Sequence, residues 1–598
     1  MIQNKENEMN KGGAFLTTPF GVDEIFTREK WSDDQKEFFE TIQSYSAEAV
    51  APMALELEKL DEKMSRDFMT QMGEMGILGM DVPEQYGGMG LAKTDAALAL
   101  EATGASESSS LMVTVTDHTG IGLLPILWYG NDEQREKYIP KMMSGEWMSS
   151  FALTEPGAGS DALNGTAAAK LNAEETHYIL NGVKQFVTNG AWADISVVFA
   201  KVDGGKLTAF ILDKDTTGWE RGPEEHKLGI KGSSTTTFIL KDCKVPVENV
   251  IGSVGKGAAV AFNCLYIGRL KLGAVTMGGA KESIRAALEY AKERHQFAQP
   301  LTAFGMMQRK FADMVIRSYE ADTITYQSTG SIDSGTEKFP SDDPEFYNHL
   351  YTVIEDHAIE NSTNKIFSSE ALWINADDGL QILGGYGVSE EYPFARILRD
   401  ERVNRIFEGT NEINKMIISG IVMKKAILEE LPIREQILEM GEAWLPSVEI
   451  PADHPQFQEI KAVELGRGIV LKTLNELILK HGQDFKNTQF EIEAFANMVI
   501  AQQIIFSVLR RYLQLDAAYP RRDVVCSVLK ISVLRNLEVI VSNAKKILRH
   551  ILSDENRKIK LSKLDEALSD LDYHADVIEE QKVVFQLLLK RGSYPLND

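Results

Sequence analysis

Apolar residues recur at three- and four-residue spacing in the early part of the chain, a pattern that predicts amphipathic helices. The predicted helices cover residues 31–53, 66–78, 94–105 and 132–143. Breaks rich in glycine and proline separate them, such as the segment 86–90. The pattern therefore predicts a helical domain over residues 31–150, after an N-terminal extension of residues 1–30.

The spacing changes to alternation after about residue 150, which indicates strands. Two short runs, 178–180 and 184–188, flank Asn181-Gly182, the dipeptide most typical of a two-residue hairpin turn. Further strands are predicted at residues 194–202, 207–213 and 235–240. We expect a β domain over residues 151–255 inside an otherwise helical protein.

The helical spacing returns after the β domain. Predicted helices cover residues 258–294, 308–329 and 344–383, and a short one follows Glu408. Gly278-Gly279 predicts a bend in the first of them, because glycine weakens a helix. Four helices with short links predict a bundle over residues 256–430.

A segment with three prolines, residues 446–455, predicts a linker into an added helical domain over residues 431–598. Helices are predicted there at residues 459–514, 524–552 and 571–589. The fold class is therefore mainly α with a central β domain.

Composition narrows the function classes. The 598 residues carry 63 Lys and Arg against 88 Asp and Glu, a net charge of −25, which disfavours nucleic acid as a partner. Cys243, Cys264 and Cys526 lie far apart, so neither a disulfide framework nor a structural zinc site is expected. The N-terminus lacks targeting features and no long uninterrupted apolar run exists, so we expect a cytoplasmic protein.

The densest glycine-containing motif lies at residues 151–161, FALTEPGAGSD. Gly157, Gly159 and Ala162 fit the spacing of a dinucleotide fingerprint, but no crossover helix follows, which disfavours a Rossmann domain. Two interpretations stay open. Thr154, Ser160 and the loop backbone could donate hydrogen bonds to a polar ligand, or the loop could be a surface turn between domains.

A second candidate site surrounds Glu408 in the sequence RIFEGTNE. Burial between apolar neighbours would raise the pKa of the carboxyl group and make it a stronger base. Gly409 would let the backbone approach a ligand, and Thr410 or Asn411 could cap the next helix. The alternative is a partly exposed glutamate that a helix dipole stabilises.

Two further segments carry open alternatives. Arg294 ends a predicted helix, where it could neutralise the helix C-terminus or bind a phosphate. The sequence QILGGYG at residues 381–387 is typical of a glycine-capped helix end, or of backbone pressed against a ligand.

Six motifs in this order resemble the acyl-CoA dehydrogenase family over roughly residues 35 to 425. They are LTEPGAGSD, NGVKQFVTNG, HKLGIKGSSTTTFILKDCKVPVENVIG, YAKERHQFAQPL, QILGGYG and RIFEGTNEI. The resemblance implies an N-terminal helical domain, a β-barrel-like middle domain and a C-terminal four-helix bundle. The residues beyond it resemble the added helical domain of the very-long-chain branch.

The resemblance implies FAD as cofactor. The residues implied to line the flavin are Phe151, Leu153, Thr154, Gly159, Ser160, Phe186, Val187 and Thr188. Those implied to reach the flavin of a neighbouring subunit are Arg294, Phe297, Gln308, Gln381, Gly384 and Gly385, while Thr410 and Glu412 lie by the adenosine half. Phe186 stands where most relatives have tryptophan, and Ala298 stands where the family usually has glycine.

The resemblance makes Glu408 the catalytic base. A second branch of the family carries its base beside the arginine numbered Arg269 here, but the adjacent residue is Gly268, which has no carboxylate. Ser160, Arg269 and Gly409 are implied to lie by the substrate. The implied reaction is the α,β-dehydrogenation of a long-chain acyl-CoA to the trans-2-enoyl-CoA in fatty-acid β-oxidation, with electrons leaving to an electron-transfer flavoprotein.

Two other functions are compatible with the same motifs. An acyl-CoA oxidase would pass its electrons to oxygen, and a non-catalytic scaffold could keep the same fold. We expect a homo-oligomer, with a dimer favoured over a tetramer. The terminal domain carries basic pairs at residues 510–511 and 521–522, which fit peripheral membrane contact, a dimer surface or an ordinary solvated face.

Overall fold

The computed structural model describes residues 11–21, 24–341, 343 and 345–597, so the start predicted for one helix, residue 344, lies outside the described residues. The first domain contains seven α-helices joined by short turns. They are α1 (Asp33–Tyr45), α2 (Ala54–Leu57), α3 (Glu62–Glu74), α4 (Lys93–Ala102), α5 (Ser109–Thr116), α6 (Leu124–Tyr129) and α7 (Asp132–Met143).

The first predicted helix is shorter than expected. It ends at Tyr45 and passes into a π turn, Ser46–Val50, and a 3-10 turn that contains Pro52. A second π segment, Asp117–Gly122, interrupts the helix pair α5 and α6. π turns inside helices often mark functional sites. His118 in this segment is tied to the β domain, because its Nδ1 accepts a hydrogen bond from Ser149 N at 3.1 Å.

The middle domain is a sheet of eight strands in the order β6-β7-β3-β2-β4-β5-β8, with β1 parallel to β4. The strands are β1 (Ser149–Ala152), β2 (Ala168–Leu171), β3 (His177–Thr188), β4 (Ile195–Val202), β5 (Lys206–Asp213), β6 (Trp219–Glu224), β7 (Thr235–Pro246) and β8 (Val250–Ile251). Its core holds Leu180, Phe210 and Phe238, all fully buried.

The hairpin predicted at Asn181-Gly182 is wrong. Strand β3 runs through this dipeptide without a turn, and the pairing with β7 shifts register between Leu180 and Gly182. The extra residue lies in β7, which forms a bulge opposite Asn181, and β3 stays continuous. The Asn181 side chain instead joins the neighbouring strand, since its Oδ1 accepts a hydrogen bond from Asp242 N at 2.9 Å.

The bundle follows the sheet. Its helices are α8 (Gly257–Glu293), α9 (Gly305–Thr336), α10 (Phe346–Asp356), α11 (Ala358–Leu383), α12 (Pro393–Glu401) and α13 (Asn411–Ile427), and a small hairpin of β9 (His295–Gln296) and β10 (Gln299–Pro300) joins the first two. Helix α8 is one uninterrupted segment of 37 residues. Gly278 serves close packing, because a Cβ there would lie 2.1 Å from Glu101 O.

The added domain contains α14 (Ile433–Met440), α15 (Phe457–His481), α16 (Gln489–Gln514), α17 (Arg522–Ile551), α18 (Asp554–Leu571) and α19 (Val577–Arg591). The helical region predicted over residues 459–514 consists of two helices: Gly482, with φ +51°, ends α15 and a 3-10 turn precedes α16. The prediction also missed α18, and the last helix begins six residues later than expected, at Val577 rather than residue 571.

A buried cluster of charges joins the added domain to the bundle and to the N-terminal segment. Arg511 on α16 binds Asp322 on α9 at 2.6 Å and Glu29, which precedes α1, at 2.7 Å. Arg28 binds the same Asp322 at 2.9 Å. Three parts of the chain thus share one ion network, and apolar residues of the bundle and the added domain form one continuous core.

Within the described residues, three helical segments are long and apolar enough to cross a membrane, judged by length and composition alone. They are Ser109–Tyr129, Gly257–Glu293 and Gln489–Gln514, and their most apolar windows are 83%, 61% and 89% buried inside the protein. Packing in the core accounts for apolar helices of this kind. Mean hydropathy over a window therefore identifies these three helices, although none of them contains a long uninterrupted apolar run.

Candidate active site

The turn that carries Glu408 has an unusual backbone. Glu408 and Gly409 adopt left-handed φ angles of +57° and +80°, between the 3-10 helix Arg402–Arg405 and helix α13. A left-handed conformation is costly for a residue with a side chain and is most often kept at functional sites. The Thr410 hydroxyl caps α13, accepting a hydrogen bond from Ile413 N at 3.2 Å.

Side chains from two helices hold the carbonyl groups of this turn. Arg269 on α8 donates from Nε to Glu408 O at 3.0 Å. Asn414 on α13 donates from Nδ2 to Gly409 O at 2.9 Å and to Thr410 O at 3.1 Å. These contacts fix the strained turn. Asn414 lies in no predicted site motif; it is placed one helical turn beyond Thr410 and so faces back to it.

The Glu408 carboxylate lies closely against helix α8. Its Oε2 atom is buried and has no hydrogen-bond partner among the described residues. A Cβ on residue 268 would lie 2.7 Å from this oxygen, so α8 passes directly beneath the carboxylate. Burial raises the pKa of Glu408 to about 7, although the positive charge of Arg269 opposes the shift. The group can therefore exchange a proton near neutral pH.

Two neighbouring groups respond to the same carboxylate. Burial, and then the charge of Glu408, raise the pKa of Asp117 and of Cys264 well above their ordinary values. Asp117 belongs to the π segment, and Asn189 at the end of β3 donates to Thr114 O at 3.0 Å beside it. The π segment, the end of β3 and the Glu408 turn therefore meet in one region. Neither Asp117 nor Asn189 is among the site residues that the sequence predicts.

A buried ion pair anchors the glycine-rich loop of residues 153–161. Lys184 on β3 donates from Nζ to Glu155 Oε1 at 2.6 Å and to Leu153 O at 3.1 Å. Glu155 also accepts from Ala167 N at 3.0 Å. The loop is thereby fixed against the sheet while its tip is left open, and Cβ atoms on Gly157 and Gly159 would meet nothing within 4 Å.

The predicted residues of this loop divide into two groups. Phe151 and Leu153 are buried in the core, where Phe151 packs against Phe199 with ring centroids 4.9 Å apart. Only their backbone can reach a ligand. Thr154 is partly exposed and Ser160 is exposed, so their hydroxyls are accessible.

Phe186 stands out on strand β3. It is 59% exposed, with φ +57°, and lies where the register with β7 shifts between Lys184 and Val187. Bulges redirect side chains and are common beside active sites. The loop lies next to it, because Gln185 N donates to Thr154 O at 2.9 Å. Val187, by contrast, points into the core of the sheet, so it too offers only its backbone.

A second open surface lies at the end of α8. Arg294, Gly384, Gly385 and Tyr386 line one cavity of about 580 Å³, with the Arg294 guanidinium 5.5 Å from the Tyr386 ring centre. Gly384 has φ +61° and ψ −133°, a conformation that is nearly restricted to glycine. Gln381 is exposed on the same helix end.

The small hairpin beside this cavity projects an aromatic side chain into solvent. Phe297 is 90% exposed, and both Phe297 and Ala298 adopt positive φ angles, +52° and +61°. Ala298 therefore takes the conformation for which the family's usual glycine is suited. Gln308 at the start of α9 donates from Nε2 to Thr302 O at 3.0 Å, and Glu412 is exposed at the start of α13.

These surfaces suit a flavin. An exposed aromatic ring beside hydroxyl donors and unobstructed glycines can hold a planar, polar ring system with a phosphate-bearing tail. Phe186, Thr154 and Ser160 would hold the ring and its substituents on the loop side. The chemistry that FAD would supply there is acceptance of a hydride.

Comparison with known proteins covers nearly the whole chain. Family models described as the N-terminal, middle and C-terminal domains of acyl-CoA dehydrogenase match residues 32–146, 150–243 and 255–423. A probable acyl-CoA dehydrogenase of Bacillus subtilis is 40% identical over 499 residues, covering 83% of this chain and 84% of that protein. The mitochondrial very long-chain specific acyl-CoA dehydrogenase of Bos taurus is 32% identical over 516 residues, covering 80% and 75%.

One solved structure is similar over almost its entire length. The crystal structure of an acyl-CoA dehydrogenase complexed with FAD from Bacillus anthracis superposes with a TM-score of 0.93 at 36% sequence identity. It covers 98% of this chain and 99% of that one, so the similarity includes the added helical domain.

Proposed function

Because the chain belongs to the acyl-CoA dehydrogenase family, we propose that Glu408 is the general base with which it converts a long-chain acyl-CoA to the trans-2-enoyl-CoA. The chain is an FAD-dependent oxidoreductase of this family. We propose the identity of the base, the length of the acyl chain of the substrate and the electron acceptor. Fatty-acid β-oxidation is the process that such a reaction serves.

The first step needs a base and a means of making the α-proton acidic. Glu408 supplies the base, since a carboxylate with a pKa of about 7 accepts a proton more readily than an ordinary glutamate and is still ionised in part at neutral pH. The thioester oxygen must be held by hydrogen-bond donors while charge develops on it. Among the described residues none accepts a hydrogen bond from the Glu408 N–H, which supports its use as such a donor.

One observation carries this proposal: the Oε2 atom of Glu408 is buried and has no hydrogen-bond partner among the described residues, on a turn whose carbonyls are held from two helices. A glutamate that only stabilised a helix end would not need this arrangement. Its pKa would then lie near or below the ordinary value, as it does for exposed Glu412.

The electron acceptor distinguishes an acyl-CoA dehydrogenase from an acyl-CoA oxidase. Members of the family use acyl-CoA substrates and transfer electrons to an electron-transfer flavoprotein, and we propose the same acceptor here. The test mixes the FAD-loaded enzyme anaerobically with saturated acyl-CoAs of about four to eighteen carbons and follows flavin bleaching. Reoxidation is then timed with electron-transfer flavoprotein and with dissolved oxygen. Faster bleaching by long chains and preference for the flavoprotein would support the proposal; preference for oxygen would indicate an oxidase.

The assembly is a separate proposal. Arg294, Gly384 and Gly385 surround an open cavity, and Phe297 extends from the adjoining hairpin into solvent. Both features favour a homodimer in which each copy completes the flavin site of the other. Sedimentation of the FAD-loaded enzyme with and without the Phe297→Asp substitution tests this: dissociation to monomers with loss of FAD is expected.

We also propose that the protein is cytoplasmic and that its added domain contacts the rest of the protein rather than a membrane. The basic pairs are less available than the sequence suggests, because Arg510 and Arg511 are buried and Arg511 is engaged with Asp322 and Glu29. This favours contact within the protein over contact with lipid. Co-sedimentation of the full chain with anionic vesicles tests the point, and pelleting above that with neutral vesicles would restore the membrane hypothesis.

A further inference from the structure

Lys365 lies at the back of the Glu408 turn and has no place in the sequence predictions. It is fully buried on helix α11. Its Nζ donates to Gly409 O at 2.9 Å and to Asn411 Oδ1 at 2.7 Å. Together with Arg269 and Asn414, it completes a set of donors on the carbonyl oxygens of the strained turn.

Lys365 differs from the other buried lysines of the described residues. Those four, Lys184, Lys271, Lys281 and Lys425, each form an ion pair with at least one carboxylate. Lys365 forms no such pair in the described part of the chain, and its acceptors are a backbone carbonyl and a side-chain amide. A buried ammonium without a directly bonded counter-charge is costly.

The charges that face Lys365 come from three parts of the bundle. The pKa of Lys365 is lowered from its ordinary value to about 7, mainly by burial and also by the positive charge of Arg269. Glu408, Glu412 and Glu370 oppose the shift, with Glu408 the largest of the three. The carboxylate proposed as the base is thus the main counter-charge of this lysine, and the lysine in turn lowers the pKa of Glu408.

We propose that Lys365 is a positioning residue for the reaction: its ammonium holds the Gly409 carbonyl so that the turn directs the Glu408 carboxylate at the substrate, and its charge favours the ionised base. The inference rests on the proposed function of Glu408. It assigns Lys365 no contact with substrate or flavin. Asn411 shares in the arrangement, since its Nδ2 donates to Glu370 Oε1 at 2.9 Å and thereby orients the amide oxygen that Lys365 binds.

The test compares three FAD-loaded variants in anaerobic stopped-flow flavin reduction by a saturating acyl-CoA, across pH 5.5 to 9. Lys365→Met removes both the donor and the charge. Lys365→Gln keeps a donor and removes only the charge. Lys425→Met is the matched control, because it deletes a buried lysine that binds Asp356 and Gly12 O instead.

We expect Lys365→Met to lower the plateau rate about tenfold or more, as a displaced base does, and to raise the pKa of the rate profile. Lys365→Gln should recover part of the rate while the profile stays shifted. Lys425→Met should lower thermal stability and leave the profile where it is. If Lys365→Met does not fold, the pH profile of flavin reduction in Lys365→Gln tests the inference by itself.

An unchanged rate and profile in folded, FAD-loaded Lys365→Met would overturn the inference. So would a loss confined to stability and FAD content, as in the control. These outcomes differ from failure of the proposed function, which would appear as normal flavin reduction in Glu408→Gln.

Discussion

Gly268 and Glu408 lie so close together that a Cβ on residue 268 would stand 2.7 Å from Glu408 Oε2. Real Cβ atoms do not approach an oxygen to this distance, so the glycine leaves the space in which the carboxylate lies. The same contact explains why a base cannot sit beside Arg269 in this chain. One position must stay without a side chain for the other to carry the reactive group.

Replacing this glycine should displace the base. We expect Gly268→Ala to bind FAD normally and to lose about 100-fold in flavin reduction by acyl-CoA, because a shift of about 1 Å in a reacting group has that effect. Gly420→Ala is the control, since a Cβ on that helical glycine meets nothing within 4 Å. Equal rates in the two variants would show that the carboxylate does not need this space.

The pH dependence of flavin reduction should follow the Glu408 carboxyl group. Only the ionised form accepts a proton, so the rate should rise from pH 6 to pH 8 with its midpoint near the raised pKa of about 7, then level off. Single-turnover rates at saturating substrate report this group in the complex. A rate that is flat over this interval, or that falls with pH, would speak against a carboxylate base with a raised pKa.

Phe186 should contribute to flavin binding through its exposed ring. Phe186→Ala is expected to weaken FAD about tenfold, in line with the energy of one aromatic pair, whereas Phe186→Trp should keep it. Release of FAD on dilution, followed by its fluorescence, measures the effect. Val183→Ala, at another partly exposed position on β3, serves as the control. Equal FAD release from Phe186→Ala and from this control would remove the ring from the flavin site.

The ion cluster at Arg511 should hold the added domain in place. Arg511→Met leaves the buried carboxylate of Asp322 and the partly buried carboxylate of Glu29 short of a partner, which destabilises by about 3 to 5 kcal/mol. Lys563→Met removes an exposed pair with Glu442, worth about 0 to 1 kcal/mol. Urea midpoints of the two variants should differ accordingly, and similar midpoints would contradict a docking role for the cluster.

Periodicity predicted the order of helical, β and helical regions, because burial patterns are a local property of the sequence. It failed where tertiary pairing overrides a local preference. Asn181-Gly182 is the dipeptide most typical of a hairpin turn, yet it lies inside a continuous strand, opposite a bulge in β7. Likewise, the break between α15 and α16 is marked in the sequence only by Gly482 within the short polar segment of residues 480–488, and the helical period continues on both sides of it.

The candidate base was identifiable from the sequence, but its supports were not. Glu408 lies in a recognisable motif, whereas Lys365 and Asn414 act through folded contacts with its turn, and Lys365 comes from a helix 44 residues away along the chain. The positive φ of Glu408 could not be predicted from the sequence either, since glycine is the residue type whose presence indicates that conformation. Phe151 and Val187 are predicted to line the flavin, and because both side chains are buried in the core, the backbone is the part of each residue that could reach it.

The most direct test of Glu408 as the base is single-turnover flavin reduction by an acyl-CoA in Glu408→Gln, with FAD content and substrate binding measured on the same sample. The glutamine keeps the size of the side chain and cannot accept the α-proton. The account predicts normal FAD and substrate binding and a loss of about three orders of magnitude or more in the rate. A rate within a few-fold of the unaltered enzyme would contradict it.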